Sequence, residues 1–398
     1  MDKEIGIASY CLNCPNPRCK AFCPCSNDIP AILALVKQAK FDDAAAVLAK
    51  TNPFPELTSL LCDHARQCRG HCIRGIRGEP VDYPAVEFAL APHVHAQYKK
   101  GQPNGKRVAI IGAGPSALSA SIFLIQAGFA VKIYEKEDSL GGAIRTGIPA
   151  FRFDKGALDA IQERLTGLGV EFEFGRSLSK EEIVSLKEDF DFVLLAIGAE
   201  KANALATPEC CQIQQALPLL AQYNQNPESF DYGKDKHIVV MGGGNVAMDI
   251  SRTLIRAGAK VTLIYRRDEA SMPAQRIEIE EAKEDGVVFS PLTNVADYLL
   301  EDGQLKGLKL VKMRLGEKDE SGRPSFHVIE GSEFDFPCDV FVQAIGEKSA
   351  LPSIFGEEEL GLEQRVLPIG DCKYGAKNIA AAIADGRDTA AKIIETLD

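Results

Sequence analysis

Beyond about residue 105, short apolar runs alternate with longer segments in which apolar residues recur every three or four positions. Residues 108–111, 130–134, 238–241 and 261–265 are runs of the first kind, and each is predicted to be a strand. The longer segments between them are predicted to be amphipathic helices. Strands that alternate with helices in this way are typical of a mostly parallel sheet, so the sequence predicts the α/β fold class.

The first hundred residues have a different pattern, of short helical segments joined by loops. Asp28 and Pro30 predict the start of a helix that reaches about residue 40, and a second helix is predicted over residues 41–50. The apolar content is modest here, so we expect bound metal clusters to stabilise this part of the fold. A linker rich in glycine, lysine and proline ends the predicted helical domain, which comprises residues 1–104.

The first strand of the α/β part runs into a glycine-rich turn at residues 112–117, which reads Gly-Ala-Gly-Pro-Ser-Ala. Glycine lets the turn tighten and lets the backbone approach a pyrophosphate, which then lies at the positive end of the following helix. Glu135 follows the next strand, at the spacing of a carboxylate that accepts a hydrogen bond from a ribose hydroxyl. These features predict a dinucleotide-binding fold, with Ala117 in place of the usual third glycine.

A second copy of this pattern occurs at residues 242–247, which read Gly-Gly-Gly-Asn-Val-Ala between a strand and a helix. Arg266 and Arg267 stand after its second strand, where the first fold has Glu135. A guanidinium there can hold a ribose 2′-phosphate, so the pair favours NADPH over NADH. The alternative is that the two arginines are an ordinary solvated pair.

The C-terminal segment indicates which nucleotide each fold binds. Gly370 and Asp371 follow a predicted strand and precede a predicted helix, from where the carboxylate could accept hydrogen bonds from flavin ribityl hydroxyls. The chain therefore returns to the first fold after completing the second. This predicts a discontinuous FAD domain at 105–200 and 345–398, and a nicotinamide-nucleotide domain at 201–344.

Charge and hydropathy exclude some classes of partner. The net charge is −11, and lysine and arginine are dispersed among acidic residues, so we expect no nucleic-acid partner. The most apolar stretch, residues 108–131, is interrupted by glycine, proline and serine, which predicts strand, turn and helix in place of a membrane span. The start of the sequence shows no charged-then-apolar leader, so a cytoplasmic location is expected.

Eight of the twelve cysteines lie near the N-terminus, and the spacing of seven of them indicates a redox function. These seven are Cys11, Cys14, Cys19, Cys23, Cys62, Cys68 and Cys72. Thiolates in this density select iron–sulfur clusters or zinc, and the run that ends at Cys23 and Pro24 favours clusters. Zinc sites and disulfides remain as alternatives. The other five cysteines are expected to be buried packing residues.

Together these motifs resemble the small subunit of bacterial glutamate synthase and the flavin-bearing subunit of bacterial dihydropyrimidine dehydrogenase. The segments that carry the resemblance are residues 11–14, 23–24, 51–56, 75–81, 141–152, 242–249, 265–274, 370–371 and 382–387. The match as a whole covers essentially the whole chain. Small subunits of glutamate synthase carry a longer N-terminal arm than the ten residues that precede Cys11, which weakens the expectation of docking to a glutamate synthase large subunit.

The resemblance implies how the cysteines are shared between two [4Fe-4S] clusters. One cluster would be held by Cys11, Cys14, Cys19 and Cys72. The other would be held by Cys23, Cys62, Cys68 and Glu87, which matches a glutamine of dihydropyrimidine dehydrogenases. An anionic oxygen ligand could lower the potential of that cluster. The alternative for Glu87 is a surface carboxylate on a helix.

The resemblance also implies which residues line the two nucleotides. FAD would be lined by Gly112, Gly114, Pro115, Glu135, Lys136, Gly142, Arg145, Arg152, Gly370, Asp371 and Asn378, the last of which stands where a threonine is common. The nicotinamide nucleotide would be lined by Gly243, Gly244, Asn245, Asp249, Arg266 and Arg267. No residue is predicted to act as a proton donor, because hydride transfer between stacked rings needs none.

The sequence therefore predicts an NAD(P)H-dependent flavoprotein that passes electrons from NADPH through FAD and two [4Fe-4S] clusters to a larger catalytic subunit or another protein acceptor. A second hypothesis is the electron-input subunit of an NAD(P)-dependent dihydropyrimidine dehydrogenase. A third, from another class, is a non-catalytic assembly subunit that carries clusters and has lost its nucleotide sites. Intact glycines in both turns argue against the third.

Overall fold

The computed structural model describes residues 1–199, 201–318, 322–356, 360–361 and 363–397. The chain divides into two compact units. The first comprises Met1–Gly142, Asp154–Glu200 and Lys348–Asp398, and the second comprises Ala143–Phe153 and Lys201–Glu347. The cysteine-rich segment and the first nucleotide fold thus belong to one unit. The three-domain division drawn from the sequence stays a prediction.

The N-terminal part of the first unit is helical, as the sequence predicts. Its helices are α1 (Asp2–Ser9), α2 (Arg18–Ala21), α3 (Ile29–Lys37), α4 (Phe41–Ala49), α5 (Pro55–Leu61), α6 (Tyr83–Ala89) and α7 (Ala91–His95). The Asp28 carboxylate caps α3 by accepting a hydrogen bond from the Ala31 amide at 3.4 Å. Ile32, Val36 and Leu57 are fully buried between these helices. The segment therefore has an apolar core of its own besides its cysteines.

The rest of the first unit is a parallel five-stranded sheet with the strand order β16-β4-β1-β2-β3. Its strands are β1 (Arg107–Ile111), β2 (Ala130–Tyr134), β3 (Glu171–Glu173), β4 (Phe192–Leu195) and β16 (Val366–Pro368). Its helices are α8 (Pro115–Gln126), α10 (Gly156–Leu168), α11 (Lys180–Ser185), α15 (Leu351–Phe355), α16 (Asp371–Tyr374) and α17 (Ile379–Ile394). The C-terminal β16 pairs with β4, so the chain returns to this sheet as predicted.

Helices α8 and α17 pack closely against each other in the first unit. A Cβ added at Gly386 would lie 2.1 Å from the Ser116 carbonyl oxygen, so only glycine allows this approach. The Ser119 hydroxyl donates a hydrogen bond to the Ile383 carbonyl at 2.7 Å. These contacts fix the position of α8, which follows the first glycine turn, against α17.

The second unit is built around another parallel sheet, with the order β6-β14-β7-β8-β9. These strands are β6 (Ile213–Gln215), β7 (His237–Met241), β8 (Lys260–Tyr265), β9 (Val288–Pro291) and β14 (Val340–Gln343). Its helices are α9 (Ala143–Thr146), α12 (Ala216–Gln225), α13 (Asn245–Arg256) and α14 (Arg276–Glu284). The sheet and its helices enclose a continuous apolar core.

An antiparallel sheet, which the sequence did not predict, is inserted into the second unit. It consists of β10 (Thr293–Glu301), β11 (Gln304–Lys318), β12 (Pro324–Val328) and β13 (Phe334–Pro337), and β11 pairs with the other three. Two short strands, β5 (Lys201–Ala202) and β15 (Glu347–Lys348), also pair. Apolar side chains of the inserted sheet and of the parallel sheet share a second core cluster.

The cysteines outside the N-terminal seven do not all behave as expected. Cys25, Cys338 and Cys372 are buried, as predicted. The expectation is wrong for Cys211, which is exposed, and for Cys210, which is only half-buried. Both lie in the turn that precedes β6, where apolar packing is incomplete. In the part of the chain that the structure describes, no helix is long and apolar enough to cross a membrane.

Candidate functional site

Five of the N-terminal cysteines line one cavity, which we call the first cavity. Cys11, Cys14, Cys19 and Cys72 are joined in its wall by Cys68. The cavity measures about 490 Å³, including its opening to solvent. The loop that follows α1 turns sharply at Asn13, whose φ of 49° is in the left-handed region and whose amide donates to the Cys11 sulfur at 3.4 Å.

The other predicted ligands line a second cavity, which measures about 280 Å³. Cys23, Cys62, Cys68 and Glu87 all line it, and so does Cys25. Cys68 thus contributes to the walls of both cavities. The predicted ligands of each cluster thus line the same cavity, accompanied by Cys68 in the first cavity and by Cys25 in the second.

Glu87 is not a surface residue, because it is 3% exposed within α6. The side-chain amides of Asn27 and Asn52 each donate a hydrogen bond to Glu87 Oε1 at 3.0 Å. Burial raises the pKa of Glu87 to about 7, although these hydrogen bonds act in the opposite direction. A carboxylate buried in a cavity with four thiols is costly to keep charged without a cationic partner. The surface alternative for Glu87 is therefore wrong.

The thiols around both cavities are partly or fully withdrawn from water. Burial raises the pKa values of the Cys11, Cys19, Cys23, Cys62 and Cys68 thiols, to about 11 for Cys19. Cluster binding would therefore release protons, since the ligands bind as thiolates. Among the residues described, no three His, Cys, Asp or Glu side chains converge around the position of a single metal ion. The thiol-rich donor set fits iron–sulfur clusters.

The first glycine turn lies at the carboxyl end of β1, where it forms a cradle for a dinucleotide. Gly112 has a φ of 97°, and a Cβ there would lie 2.5 Å from the Ala196 carbonyl oxygen. A Cβ at Gly114 would meet no atom within 4 Å, so this position faces open space at the start of α8, next to Pro115. That space is where a pyrophosphate could approach the helix N-terminus.

Glu135 lies beside this cradle and is 5% exposed. Its Oε2 accepts a hydrogen bond from the Ala113 amide at 2.7 Å, and its Oε1 accepts one from the Glu137 amide at 2.9 Å. Burial raises the pKa of Glu135. A carboxylate that two backbone amides hold at the end of β2 is suited to accept a hydrogen bond from a ribose hydroxyl.

The C-terminal residues predicted to bind FAD lie on the same side of the first unit as the glycine turn. A Cβ at Gly370, whose φ is 69°, would lie 2.6 Å from the Ser116 hydroxyl oxygen. Burial raises the pKa of Asp371, whose Oδ1 accepts a hydrogen bond from the Lys377 amide at 3.2 Å. The Asn378 side chain caps α17, since its Oδ1 accepts from the Ala381 amide at 2.9 Å.

The remaining predicted FAD residues divide between the units. Gly142, with a φ of 51°, lies next to Gly114, and Lys136 is exposed just after β2. Arg145 and Arg152 belong to the second unit. There Arg152 pairs with Asp249 at 2.6 Å and with Glu278 at 2.5 Å, and all three side chains are largely buried. Asp249, predicted to line the nicotinamide nucleotide, thus has a guanidinium as its direct partner.

The second glycine turn forms the corresponding cradle of the second unit. A Cβ at Gly243 would lie 2.6 Å from the Tyr265 ring, and a Cβ at Gly244 would meet nothing within 4 Å. Asn245 begins α13, and its Oδ1 accepts a hydrogen bond from the Gln275 amide at 2.8 Å. Asn245 therefore holds the segment that leads into α14 against the turn.

The predicted arginine pair lies beside the inserted sheet. The guanidinium of Arg266 is 4.4 Å from the Phe326 ring centroid, and that of Arg267 is 4.9 Å from it. Arg267 is 4% exposed and its Nε donates to the Pro324 carbonyl at 2.6 Å. Burial, Arg267 and Arg323 all lower the pKa of Arg266. Sequence reasoning missed Arg323, because a distant strand pairing brings it near Arg266.

Comparisons with known proteins agree with this geometry. Residues 106–367 match the family model of pyridine nucleotide-disulphide oxidoreductases. Residues 2–97 match the model of the 4Fe-4S cluster domain II of dihydropyrimidine dehydrogenase. The chain is thus a flavin- and pyridine-nucleotide-dependent oxidoreductase with an iron–sulfur domain.

Relatives that match nearly the whole chain identify the family within this class of oxidoreductases. The glutamate synthase [NADPH] small chain of Escherichia coli strain K12 is 31% identical, over 98% of this chain and 91% of that protein. The one of Azospirillum brasilense is 34% identical, over 96% and 87%. The beta subunit of the NADP(+)-dependent formate dehydrogenase of Moorella thermoacetica is 30% identical, over 95% and 60%. The chain belongs to the family of the glutamate synthase small chain.

Solved structures show the same fold at low sequence identity. A 2-naphthoyl-CoA reductase is similar over 92% of this chain and 49% of that one, with a TM-score of 0.58 and 17% identity. The thioredoxin reductase of Lactococcus lactis is similar over 73% of this chain and 99% of that one, with a TM-score of 0.52 and 16% identity. The predicted α/β fold class is confirmed.

The two open glycine positions predict a matched pair of variants. Gly114→Val should fold normally, because its side chain enters open space, but FAD affinity should fall by about tenfold or more. Gly244→Val should retain FAD and lose nicotinamide-nucleotide affinity to a similar extent. Flavin content after dialysis and equilibrium binding of each nucleotide measure both effects. Full retention of FAD by Gly114→Val would show that the pyrophosphate lies elsewhere.

Proposed function

We propose that the protein oxidises NADPH and delivers the electrons one at a time to a protein partner. FAD would accept a hydride and two [4Fe-4S] clusters would carry single electrons, which is the chemistry that these groups supply. The observation that carries the proposal is the presence of two thiol-lined cavities and a flavin-type nucleotide cradle within one compact unit.

The second cavity reaches the flavin fold directly. Ala380, in the first turn of α17, lines this cavity together with the cysteines. The Cys25 thiol donates a hydrogen bond to the Ala380 carbonyl at 3.3 Å. Asn378 caps the same helix, and Asp371 begins α16, the helix that precedes it in the chain. A cluster in the second cavity would therefore lie next to the predicted flavin site, which supports an order of flavin, second cavity, first cavity.

We assign the cluster ligands as the two groups of four around the cavities. Cys11, Cys14, Cys19 and Cys72 would hold one cluster, and Cys23, Cys62, Cys68 and Glu87 the other. Cys25 also faces the second cavity, but its thiol is engaged with Ala380. Glu87 is held in place by two asparagine amides, which favours Glu87 over Cys25 as the fourth ligand.

The nucleotide residues have separate proposed roles. Glu135 would accept a hydrogen bond from the adenosine ribose of FAD, and Asp371 would accept one from the ribityl chain. Arg266 and Arg323 would hold the 2′-phosphate of NADPH, with Arg267 fixing the inserted strand through Pro324. Lys136, Arg145 and Arg152 remain proposed FAD contacts, and Asp249 a proposed nicotinamide contact.

The partner is proposed to be a larger subunit or another protein acceptor. Relatives named as a small chain and as a beta subunit support this, since such names describe parts of assemblies. The match to a dihydropyrimidine dehydrogenase domain favours an input subunit of that enzyme as the second candidate. A cytoplasmic location is also proposed, because all twelve cysteines are free and thiols persist in a reducing compartment.

The direct test of the proposed function is anaerobic reduction of the flavin by NADPH. The reconstituted protein should lose its flavin absorption on addition of NADPH, and more slowly with NADH at equal concentration. Arg266→Ala should weaken NADPH binding by about tenfold and leave NADH binding within about twofold, since one charge-assisted phosphate contact is removed. Absence of flavin from the protein, or equal use of both nucleotides before and after the change, would contradict the proposal.

Replacing Glu87 should change the iron content and the cluster spectra in a specific way. Glu87→Ala should lose the cluster of the second cavity, so that iron falls from about eight to about four atoms per chain. Glu87→Gln should keep the iron but shift the potential of that cluster upward, because an anionic ligand is replaced by a neutral one. Cys25→Ser is the matched control and should keep both clusters. Unchanged iron and spectra in Glu87→Ala would exclude Glu87 as a ligand.

A further inference from the structure

Exposed apolar side chains surround the opening of the first cavity. Leu12 and Ile73 line the cavity and are 51% and 39% exposed. Phe22, 46% exposed, stacks on the ring of His71, which also lines the cavity, with ring centroids 3.4 Å apart. Ile76, in the same short helical turn as Ile73, is 70% exposed. We call the surface formed by Leu12, Phe22, Ile73 and Ile76 the cavity rim.

The cavity rim is also basic, in contrast to the rest of the chain. Residues 10–24 and 60–80 contain six lysines and arginines and two acidic residues, whereas the whole chain has a net charge of −11. Three of the six, Lys20, Arg66 and Arg69, form ion pairs with Asp28, Asp63 and Asp82. Arg18 and Arg74 line the cavity, and Arg77 is exposed next to Ile76. Within the described ranges, no ion pair engages the guanidinium of Arg18, Arg74 or Arg77. These charges are available to a partner.

The rim arginines are held in place by aromatic contacts. The Arg74 guanidinium lies 4.1 Å from the Tyr10 ring centroid, and its Nε donates to the Tyr10 carbonyl at 2.8 Å. The Arg18 guanidinium lies 5.9 Å from the Phe22 ring centroid. Arginines combined with aromatic and aliphatic side chains are the composition of protein interfaces.

We propose that the cavity rim is the docking surface for a small acidic electron-carrier protein. This rests on the proposed function, since it takes the first cavity as the exit for electrons. A carrier with an acidic face would be repelled by most of this chain and attracted to the rim, which both orients it and speeds the encounter. Two copies of this chain would each contribute a charge of −11, which disfavours a second copy as the occupant.

The electrons balance for a one-electron carrier. One NADPH gives a hydride, which carries two electrons, and becomes NADP⁺. Two oxidised carrier molecules each take one electron at the rim in successive encounters, and one proton is released. Each carrier must leave before the next can dock, so the interface should be small and fast to exchange. A rim of a few apolar and cationic side chains fits this requirement.

The test uses the reconstituted holoprotein, with an acidic [2Fe-2S] ferredoxin as the probe and a small uncharged dye as a second acceptor. NADPH-dependent reduction of each acceptor is measured from low to high salt. Arg77→Glu should reduce the ferredoxin rate about tenfold at low salt, and the difference should shrink as salt rises. Ile76→Ser should lower the ferredoxin rate at all salt concentrations. Dye reduction should be unchanged in both variants.

Arg314→Glu is the matched control, because Arg314 is an exposed arginine on β11 and the charge change is the same. It should leave both rates at the wild-type level. Equal ferredoxin rates for Arg77→Glu and Arg314→Glu would overturn the docking proposal. So would a stable, salt-independent complex with a large subunit at the rim. Loss of dye reduction in the unmodified protein would instead mean that the proposed function itself has failed.

Discussion

One partly buried arginine joins the cysteine-bearing loops to the flavin fold, and the arrangement of these loops depends on it. Arg387, on α17, donates through Nη1 to the Cys25 carbonyl at 2.8 Å and to the Thr51 carbonyl at 2.9 Å. These carbonyls belong to the two loops that precede α3 and α5. Because charge-assisted hydrogen bonds to backbone oxygens are directional, they fix where those loops lie relative to α17. The second cavity forms along this junction.

The same junction explains why polar groups can be buried around the second cavity. Asn27 and Asn52 lie in the loops that Arg387 fixes, and both donate to Glu87. The Thr51 hydroxyl donates to the Asn27 side-chain oxygen at 2.7 Å, which orients the amide toward the carboxylate. A hydrogen-bonded network of this kind holds a ligand in place before a cluster arrives. Helix α17 thus helps to position the loops of the second cavity without supplying a cysteine.

The sequence was sufficient for features with local causes. Both glycine turns and the strands before them were predicted, because turn geometry and apolar periodicity act over a few residues. The C-terminal return to the first sheet was predicted from the position of Gly370 and Asp371. The grouping of cysteines came from resemblance, and the structure places the same residues around two cavities. Contacts between distant segments were not predictable. The partners of Glu87 lie 60 and 35 residues away in the chain.

The second unit also contains contacts between distant segments that the sequence did not predict. Its antiparallel sheet was missed, because such strands are specified by pairing with distant partners more than by their own composition. That sheet brings Phe326 and Arg323 to the predicted arginine pair, and engages Arg267 through Pro324. A pair that looked equivalent in sequence therefore divides into one buried structural arginine and one that is available to a ligand. Likewise, the sequence did not predict that Arg152 forms an ion pair with Asp249.

The central claim is that flavin and clusters form one electron path within the first unit. An anaerobic titration with NADPH, followed by electron paramagnetic resonance of the clusters, tests it most directly. The account predicts that cluster signals appear as the flavin is reduced, and that Gly114→Val, once its weakened FAD has been removed by dialysis, shows none with NADPH but shows them with dithionite. Cluster signals that appear with NADPH in the flavin-free variant, or that never appear while the flavin is fully reduced, would contradict it.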